Sequence, residues 1–315
     1  MKNVEDVYVL SPMQQGMLFH TLYDPQSGVY VEQMILMIQG DLNLTAFKRA
    51  WDYVAVRHPV FRTAFVWEGL ETPLQVVRQQ IQIPWLVEDW QDYSANEQDS
   101  KLAAFLDTDR REGFALTQAP LMRLALFKVA SDRYQFIWSQ HHLLLDGWSL
   151  PLVFREVLSA YEAYARYQPL RLPHARPYRD YIAWLQQQNL AQAEAFWRQT
   201  LAGFYAPTPL SVDLPTTTTS EKSHYVQQEI VLPEAITIRL QRLVRQQGMT
   251  LNTVVQGAWG LLLSRYSGEP DVVFGATVSG RPPELAGVET MVGLFINTLP
   301  VRVPIPATQT VVDWL

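Results

Sequence analysis

His141-His142-Leu143-Leu144-Leu145-Asp146-Gly147-Trp148-Ser149 is the stretch on which the fold turns. Upstream of it, residues 121–129 and 134–141 are two apolar, β-branched and aromatic runs joined by Ala130-Ser131-Asp132-Arg133, the pattern of a β-hairpin. Downstream, Val153, Phe154, Val157, Leu158, Tyr161 and Ala165 recur at helical spacing. Ser149 is the candidate N-cap, and Pro151 falls in the first turn, where a missing N–H is tolerated. A strand, a loop and a helix therefore frame the histidine pair. Period two along the strand sends His141 and His142 to opposite faces. At most one of them lines a given cavity, and the other is packed and hydrogen-bonded.

Imidazole, with an ordinary pKa near 6.5, is largely neutral at pH 7 and can accept a proton. Asp146 follows His142 by four residues across the loop, where it can orient the histidine or pair with an arginine. Gly147 permits close backbone approach or a positive φ. A purely structural alternative stands beside this: a buried strand end with both histidines satisfied in the core. A metal site has little support, because neighbouring residues on a strand point apart and no third ligand lies near. The absence of a GxSxG turn speaks against a covalent hydrolase.

Working outward, residues 31–38 read as a buried strand after the turn-prone Asp24-Pro25-Gln26-Ser27-Gly28. Phe47, Ala50, Trp51, Val54 and Ala55 then mark a helix that stops at His58-Pro59, and residues 62–66 leave it as a strand. A helix is predicted over 178–201, followed by a polar linker with Pro207, Pro209, Pro215 and the threonine run 216–219. A strand, helices over 234–247 and 252–266 separated by a terminating Gly248, and a strand over 272–278 complete the pattern. Val311-Val312-Asp313-Trp314-Leu315 reads as a helix just starting. Alternating strands and helices give α/β or α+β layers, split into two lobes at 1–176 and 177–315.

Composition agrees with a globular chain: of 315 residues, 48% are hydrophobic and 18% charged, with ten Trp, fourteen Tyr and thirteen Phe to fill a core. A net charge of -6 without a Lys/Arg cluster argues against nucleic-acid binding. With no cysteine, disulfides and thiolate chemistry are excluded. Acidic residues in Met1-Lys2-Asn3-Val4-Glu5-Asp6 do not fit a signal peptide, and no apolar run has the length of a membrane span. The expectation is a soluble, cytoplasmic protein.

Five stretches in order resemble one family. His141 to Gly147 is similar to the HHxxxDG signature of condensation domains of nonribosomal peptide synthetases and of wider chloramphenicol-acetyltransferase-like acyltransferases. Leu10-Ser11-Pro12-Met13-Gln14-Gln15-Gly16-Met17-Leu18-Phe19 resembles the N-terminal motif of condensation domains. Arg57-His58-Pro59-Val60-Phe61-Arg62-Thr63-Ala64-Phe65 resembles RHxxLRTxF, with Phe61 in the usual Leu position. Tyr178 to Trp184 resembles YxDYxxW, and Val292 to Thr298 resembles xGxFxNT.

The resemblance implies an α/β fold of two acetyltransferase-like lobes in a V around a central tunnel. It also implies a reaction in which an acceptor amine attacks a donor thioester. In it His142 is the tunnel histidine and His141 supports it, Asp146 forms a structural ion pair with Arg62, and Gly147 lies at the reaction centre. Trp148, Ser149 and Asn297 contact the substrate arm or the lobe interface, or serve packing, capping and hydrogen bonding alone. No metal or cofactor is bound directly. Substrates arrive on the phosphopantetheine arms of upstream and downstream peptidyl carrier proteins, beside an adenylation domain, with no nucleic-acid or membrane partner.

The chain is shorter than such a domain, which implies an incomplete second lobe, an open tunnel and weak activity on its own. SPMQQGMLFH, VSGRP and VGLFINTLP resemble domains that accept a D-configured donor. Other HHxxxDG acyltransferases, an epimerisation domain, and a non-catalytic module that docks carrier or tailoring proteins remain alternatives.

Overall fold

The structure, a computed structural model, describes residues 3–25, 27–210, 228–306 and 308–315. Its first elements are β1 (Val4–Val9), α1 (Pro12–Tyr23), β2 (Val31–Gln39) and α2 (Leu44–Arg57). A 3-10 turn at Pro59–Arg62 leads to β3 (Thr63–Val66), β4 (Leu74–Arg78), β5 (Trp85–Asp89) and α3 (Ala95–Glu112). The hairpin follows as β6 (Met122–Ala130) and β7 (Arg133–His141), then α4 (Ser149–Ala165), α5 (Arg179–Leu185) and α6 (Leu190–Thr200). The remainder is α7 (Glu234–Gln246), α8 (Leu251–Ser267), β8 (Asp271–Ser279), β9 (Ile296–Pro304) and α9 (Val311–Trp314).

Two compact units divide the chain: Met1–Gln188 with Ser279–Asn297, and Asn189–Val278 with Thr298–Leu315. The single boundary expected at 176/177 therefore differs from a division that the chain crosses three times. Pro215 and the threonine run 216–219 lie outside the described residues. So does most of the strand expected after them, and residues 228–233 form none.

In the first unit a four-stranded sheet runs β2-β7-β6-β5, antiparallel except for the parallel β5–β6 pair. A three-stranded antiparallel sheet runs β1-β4-β3. Period two sorts β7 into two faces. Phe136 and Trp138 face the main core with α2 and α4, where the Trp138 ring meets Trp51 at 5.0 Å and Phe154 at 5.5 Å. Ile137 points to the other face and packs with Trp90, Phe127 and Phe105 of α3. His141 continues that second face at the strand's end, between β2 and the start of the histidine loop.

Helix ends follow local chemistry. Asn43 caps α2 by accepting from Ala46 N–H at 3.0 Å, and Pro59 stops it. Ser11 and Gln14 form a capping box on α1. The helix expected over 178–201 is two, because the Asn189 side chain accepts from Gln192 N–H at 3.1 Å and starts a new one. The strand expected over 62–66 begins at Thr63, since Arg62 closes the 3-10 turn. Ser149 is not an N-cap: it is the first residue of α4, and its hydroxyl is engaged elsewhere.

The second unit holds α6 to α9 and most of β8 and β9, which pair as a two-stranded sheet. Gly248 has φ +66 after α7, as a helix-terminating glycine requires.

Candidate functional site

The two adjacent histidines are held in opposite tautomers. His142 Nδ1 lies 3.0 Å from the Leu145 carbonyl, which can only accept, so Nδ1 carries the proton and Nε2 keeps a free lone pair. His141 Nδ1 accepts from Leu143 N–H at 3.2 Å, so its proton is on Nε2, 3.3 Å from the Thr21 hydroxyl. That hydroxyl in turn donates to the Met17 carbonyl at 2.8 Å. His141 is 2% exposed, and burial, reinforced by His142 beside it, pushes its pKa down to about 3. It stays neutral and both its ring nitrogens are occupied. His142 is half-buried and fixed through its backbone N–H to Tyr30 O at 2.8 Å.

Asp146 organises the loop beyond them. Only 2% exposed, it accepts from Ser149 N–H at 3.1 Å, Ser149 Oγ at 2.9 Å and Phe295 N–H at 3.0 Å. Its ion-pair partner is Arg281, Nη2 to Oδ1 3.4 Å. The expected pair between Asp146 and Arg62 is not formed. Arg62 binds Glu5 at 2.6 Å and donates to the carbonyls of Ala55, Val56 and Arg78. The reason is local: Arg62 sits where α2 ends, beside helix carbonyls that lack an intrahelical partner.

Arg281 donates to Ser149 Oγ at 3.1 Å and to the carbonyls of Met291 and Val288, and its guanidinium lies 3.9 Å from the Phe295 ring centre. Burial lowers its pKa while Asp146 opposes that shift. Asp146 and Tyr181 also lie within electrostatic reach, and burial first, then Asp146, pushes the Tyr181 hydroxyl up to about 12.

Residues of the other quoted stretches converge on this loop. Gln14 is buried and donates from Nε2 to the Leu143 carbonyl at 3.0 Å, while pairing with the Gln75 amide. Ser149 Oγ accepts from Gly293 N–H at 3.1 Å, and Tyr178 donates to Leu294 O at 2.6 Å. A Cβ on Gly293 would overlap the Tyr178 ring, so only glycine fits there. Gly147 is different from expectation: it has no positive φ and no close backbone neighbour, and a Cβ there would enter open space. Trp148 is 59% exposed, its Nε1 3.3 Å from Glu289 O. Asn297 is exposed near the start of β9. The roles of Arg281, Gln14 and Tyr178 do not follow from the sequence reading. The glutamine sits at the N3 position of a capping box legible in Ser11-Pro12-Met13-Gln14, whereas Arg281 falls in the quoted VSGRP stretch, residues 278–282, which gives no sign of its partner Asp146.

The family model described as "Condensation domain" matches residues 4–315. The chain belongs to the condensation domain family. It is 49% identical over its whole length to a linear gramicidin synthase protein of Brevibacillus parabrevis, and covers 6% of that protein. Over 98% of its length it is 39% identical to bacitracin synthase 3 of Bacillus licheniformis, covering 5%. Thus this condensation domain spans a small part of the curated relatives it matches.

Among solved structures, the first condensation domain of the calcium-dependent antibiotic synthetase matches with TM-score 0.75 at 19% identity, over 98% of this chain and 73% of that one. The X-domain in complex with OxyB from teicoplanin biosynthesis matches with TM-score 0.79 at 24% identity, over 98% and 68%. The fold is accordingly the mixed α/β, chloramphenicol-acetyltransferase-like fold of condensation domains. Among the described residues no helix is long and apolar enough to cross a membrane.

Proposed function

We propose that this condensation domain joins two carrier-bound thioesters by a peptide bond. The observation that carries the reading is the commitment of His142 Nδ1–H to Leu145 O, which leaves Nε2 as an acceptor. The acceptor's α-amine donates to Nε2 and attacks the donor's thioester carbonyl. A C–N bond forms, the C–S bond breaks, and the amine proton passes by way of His142 toward the departing thiolate. A positioned base contributes about 10²–10⁴-fold. Holding both reactants in one site contributes up to about 7–11 kcal/mol.

Thioesters are already activated, so the step calls for no metal and no directly bound cofactor. Upstream and downstream peptidyl carrier proteins would deliver the substrates on phosphopantetheine arms, with an adenylation domain beside them, in the cytoplasm. Gly147 and Trp148 are exposed on the loop that follows His142, where the family resemblance puts the substrate arm. The D-donor resemblance makes a D-configured donor the first substrate to try.

A second reading draws on the X-domain–OxyB match: the fold retained as a docking module. One assay separates the two. The chain, a version lengthened to the span of the solved condensation domains, and that version carrying His142→Ala are mixed with loaded donor and acceptor carriers. Intact-protein mass spectrometry then follows dipeptidyl-carrier. Product from the lengthened protein, reduced at least 10²-fold in the variant, is expected. Carrier binding with no product from any donor, L or D, would overturn condensation in favour of docking.

A further inference from the structure

Two buried glutamines meet next to the histidine loop. Gln14, in the first turn of α1, and Gln75, in the middle strand β4 of the three-stranded sheet, are each 1% exposed. Val77, one period along β4, is as deeply buried, so position 75 is a place for an apolar side chain. A buried amide there is costly unless it is hydrogen-bonded. Gln14 Nε2 donates to Gln75 Oε1 at 3.1 Å, and Gln75 Nε2 returns a bond to Gln14 Oε1 at 2.9 Å. Backbone groups set the sense of each amide. Ser11 N–H donates to Gln14 Oε1 at 3.0 Å, and Gln75 Nε2 donates to Val9 O at 3.0 Å. Gln14 then has one N–H left, and it points at Leu143 O, 3.0 Å away.

Thr21 holds the same loop from the other end of α1. Gln14 and Thr21 stand at i and i+7, on one face of the helix. The Thr21 hydroxyl gives its proton to Met17 O at 2.8 Å, so toward His141 Nε2 at 3.3 Å it accepts. His141 Nδ1 is thereby left to accept Leu143 N–H. Both grips close on one residue: Gln14 takes the carbonyl of Leu143, and Thr21, through the His141 ring, takes its N–H. Leu143 directly follows His142, whose own N–H is bound to Tyr30 O. The backbone on both sides of His142 is thus pinned by groups outside the loop's tip, while Leu145 O orients the ring.

Resting on the condensation reading, we propose that Gln14, aligned by Gln75, and Thr21 are positioning residues for His142: α1 sets the backbone from which the imidazole reaches the amine. A misplacement of about 1 Å in such a site costs up to about 10²-fold in rate. Three substitutions take the device apart. Gln14→Leu removes the donor to Leu143 O. Thr21→Val keeps the shape of the side chain and removes the acceptor of His141. Gln75→Leu breaks the amide pair but leaves Gln14 its bonds to Ser11 and Leu143. In the lengthened, condensing protein kcat and KM are measured for each, and in this chain the ¹⁵N shifts of His142 are read.

Gln14→Leu and Thr21→Val are expected to lower kcat by about 10-fold or more with KM within about twofold, since substrate binding is left alone. In both, the Nδ1 and Nε2 shifts of His142 move toward one another, as they do in a ring free to exchange tautomers. Thr21→Ser, which keeps the hydroxyl, restores kcat to within about twofold of the parent. Gln75→Leu has a smaller effect than Gln14→Leu. Lost stability alone does not move these shifts, and Arg62→Met, which touches neither α1 nor the loop, is the control that keeps them. Should Gln14→Leu fail to fold, Thr21→Val and Thr21→Ser carry the test. His142 shifts and kcat unchanged in a folded Thr21→Val would overturn the proposal. Should the parent form no peptide, the shifts decide. Convergence in Thr21→Val that Thr21→Ser undoes keeps the positioning while condensation falls; unchanged shifts sink the positioning.

Discussion

Arg62 and Arg281 are both nearly buried, yet the carboxylates they meet differ: Glu5 keeps 44% of its side chain in water, whereas Asp146 keeps 2%. Arg62 gathers carbonyls at the end of α2 and from β4, and Glu5 is a rim partner. Arg281 gathers the carbonyls of Val288 and Met291 and places its charge on a carboxylate that also receives the Phe295 and Ser149 N–H groups. The first is a staple between a helix and a sheet. The second ties the histidine loop to the 288–295 segment, so it bears on where His142 points. Breaking a pair is costly where the remaining charge stays dry.

Three outcomes test that contrast. Asp146→Ala leaves Arg281 without its counter-charge and is expected to destabilise the first unit by about 3–5 kcal/mol, read from the urea midpoint. Condensation should fall with it, and Asp146→Asn, which still accepts from Phe295 N–H, should restore part of the stability. Arg62→Met should cost less, about 1–3 kcal/mol, because Glu5 returns to water and only the carbonyls lose a donor. Its rate per folded molecule should stay within about twofold of the parent. Equal losses of stability and rate in the two variants would erase the distinction.

The smallest effect, read over the single pH unit between 6.5 and 5.5, concerns pH. His141 has a folded pKa lowered to about 3 by burial and by His142, so below its ordinary value near 6.5 the unfolded chain binds the proton first. Stability is therefore lost as pH falls through 6.5 toward 3, by at most about 1.4 kcal/mol per pH unit from this group. His141→Gln should flatten the slope of stability between pH 6.5 and 5.5. An unchanged slope would show that His141 is not held neutral.

How much of the molecule is legible in its sequence depends on how local each signal is. The β6–β7 hairpin, α2 and α4 announce themselves through dense apolar spacing and a proline stop at residue 59. α3 gives no such signal, because its surface is charged and only Leu102, Phe105 and Leu106 pack against the small outer cluster. β5 is a five-residue edge strand in parallel pairing, ending in Glu88 and Asp89, and it leaves almost no alternation to detect. In the site, the strand–loop–helix frame and the burial of one histidine of the pair are legible from residues 134–165 alone. The partner of Asp146 is not, because Arg281 lies 135 residues away. The family pattern points to Arg62, whose surroundings are set instead by the carbonyls at the end of α2.

The chemistry of the site depends on one arrangement, His141 protonated on Nε2 and His142 on Nδ1, and nuclear magnetic resonance tests it most directly. The chain has six histidines, few enough for long-range proton–nitrogen correlation on a sample labelled with ¹⁵N only in histidine, assigned through His141→Gln and His142→Gln. Opposite tautomers are expected, with the His142 Nδ1 resonance in the protonated range and its Nε2 resonance in the unprotonated range. A His142 ring protonated on Nε2 alone would contradict this, since the nitrogen meant to meet the amine would then have no lone pair to offer.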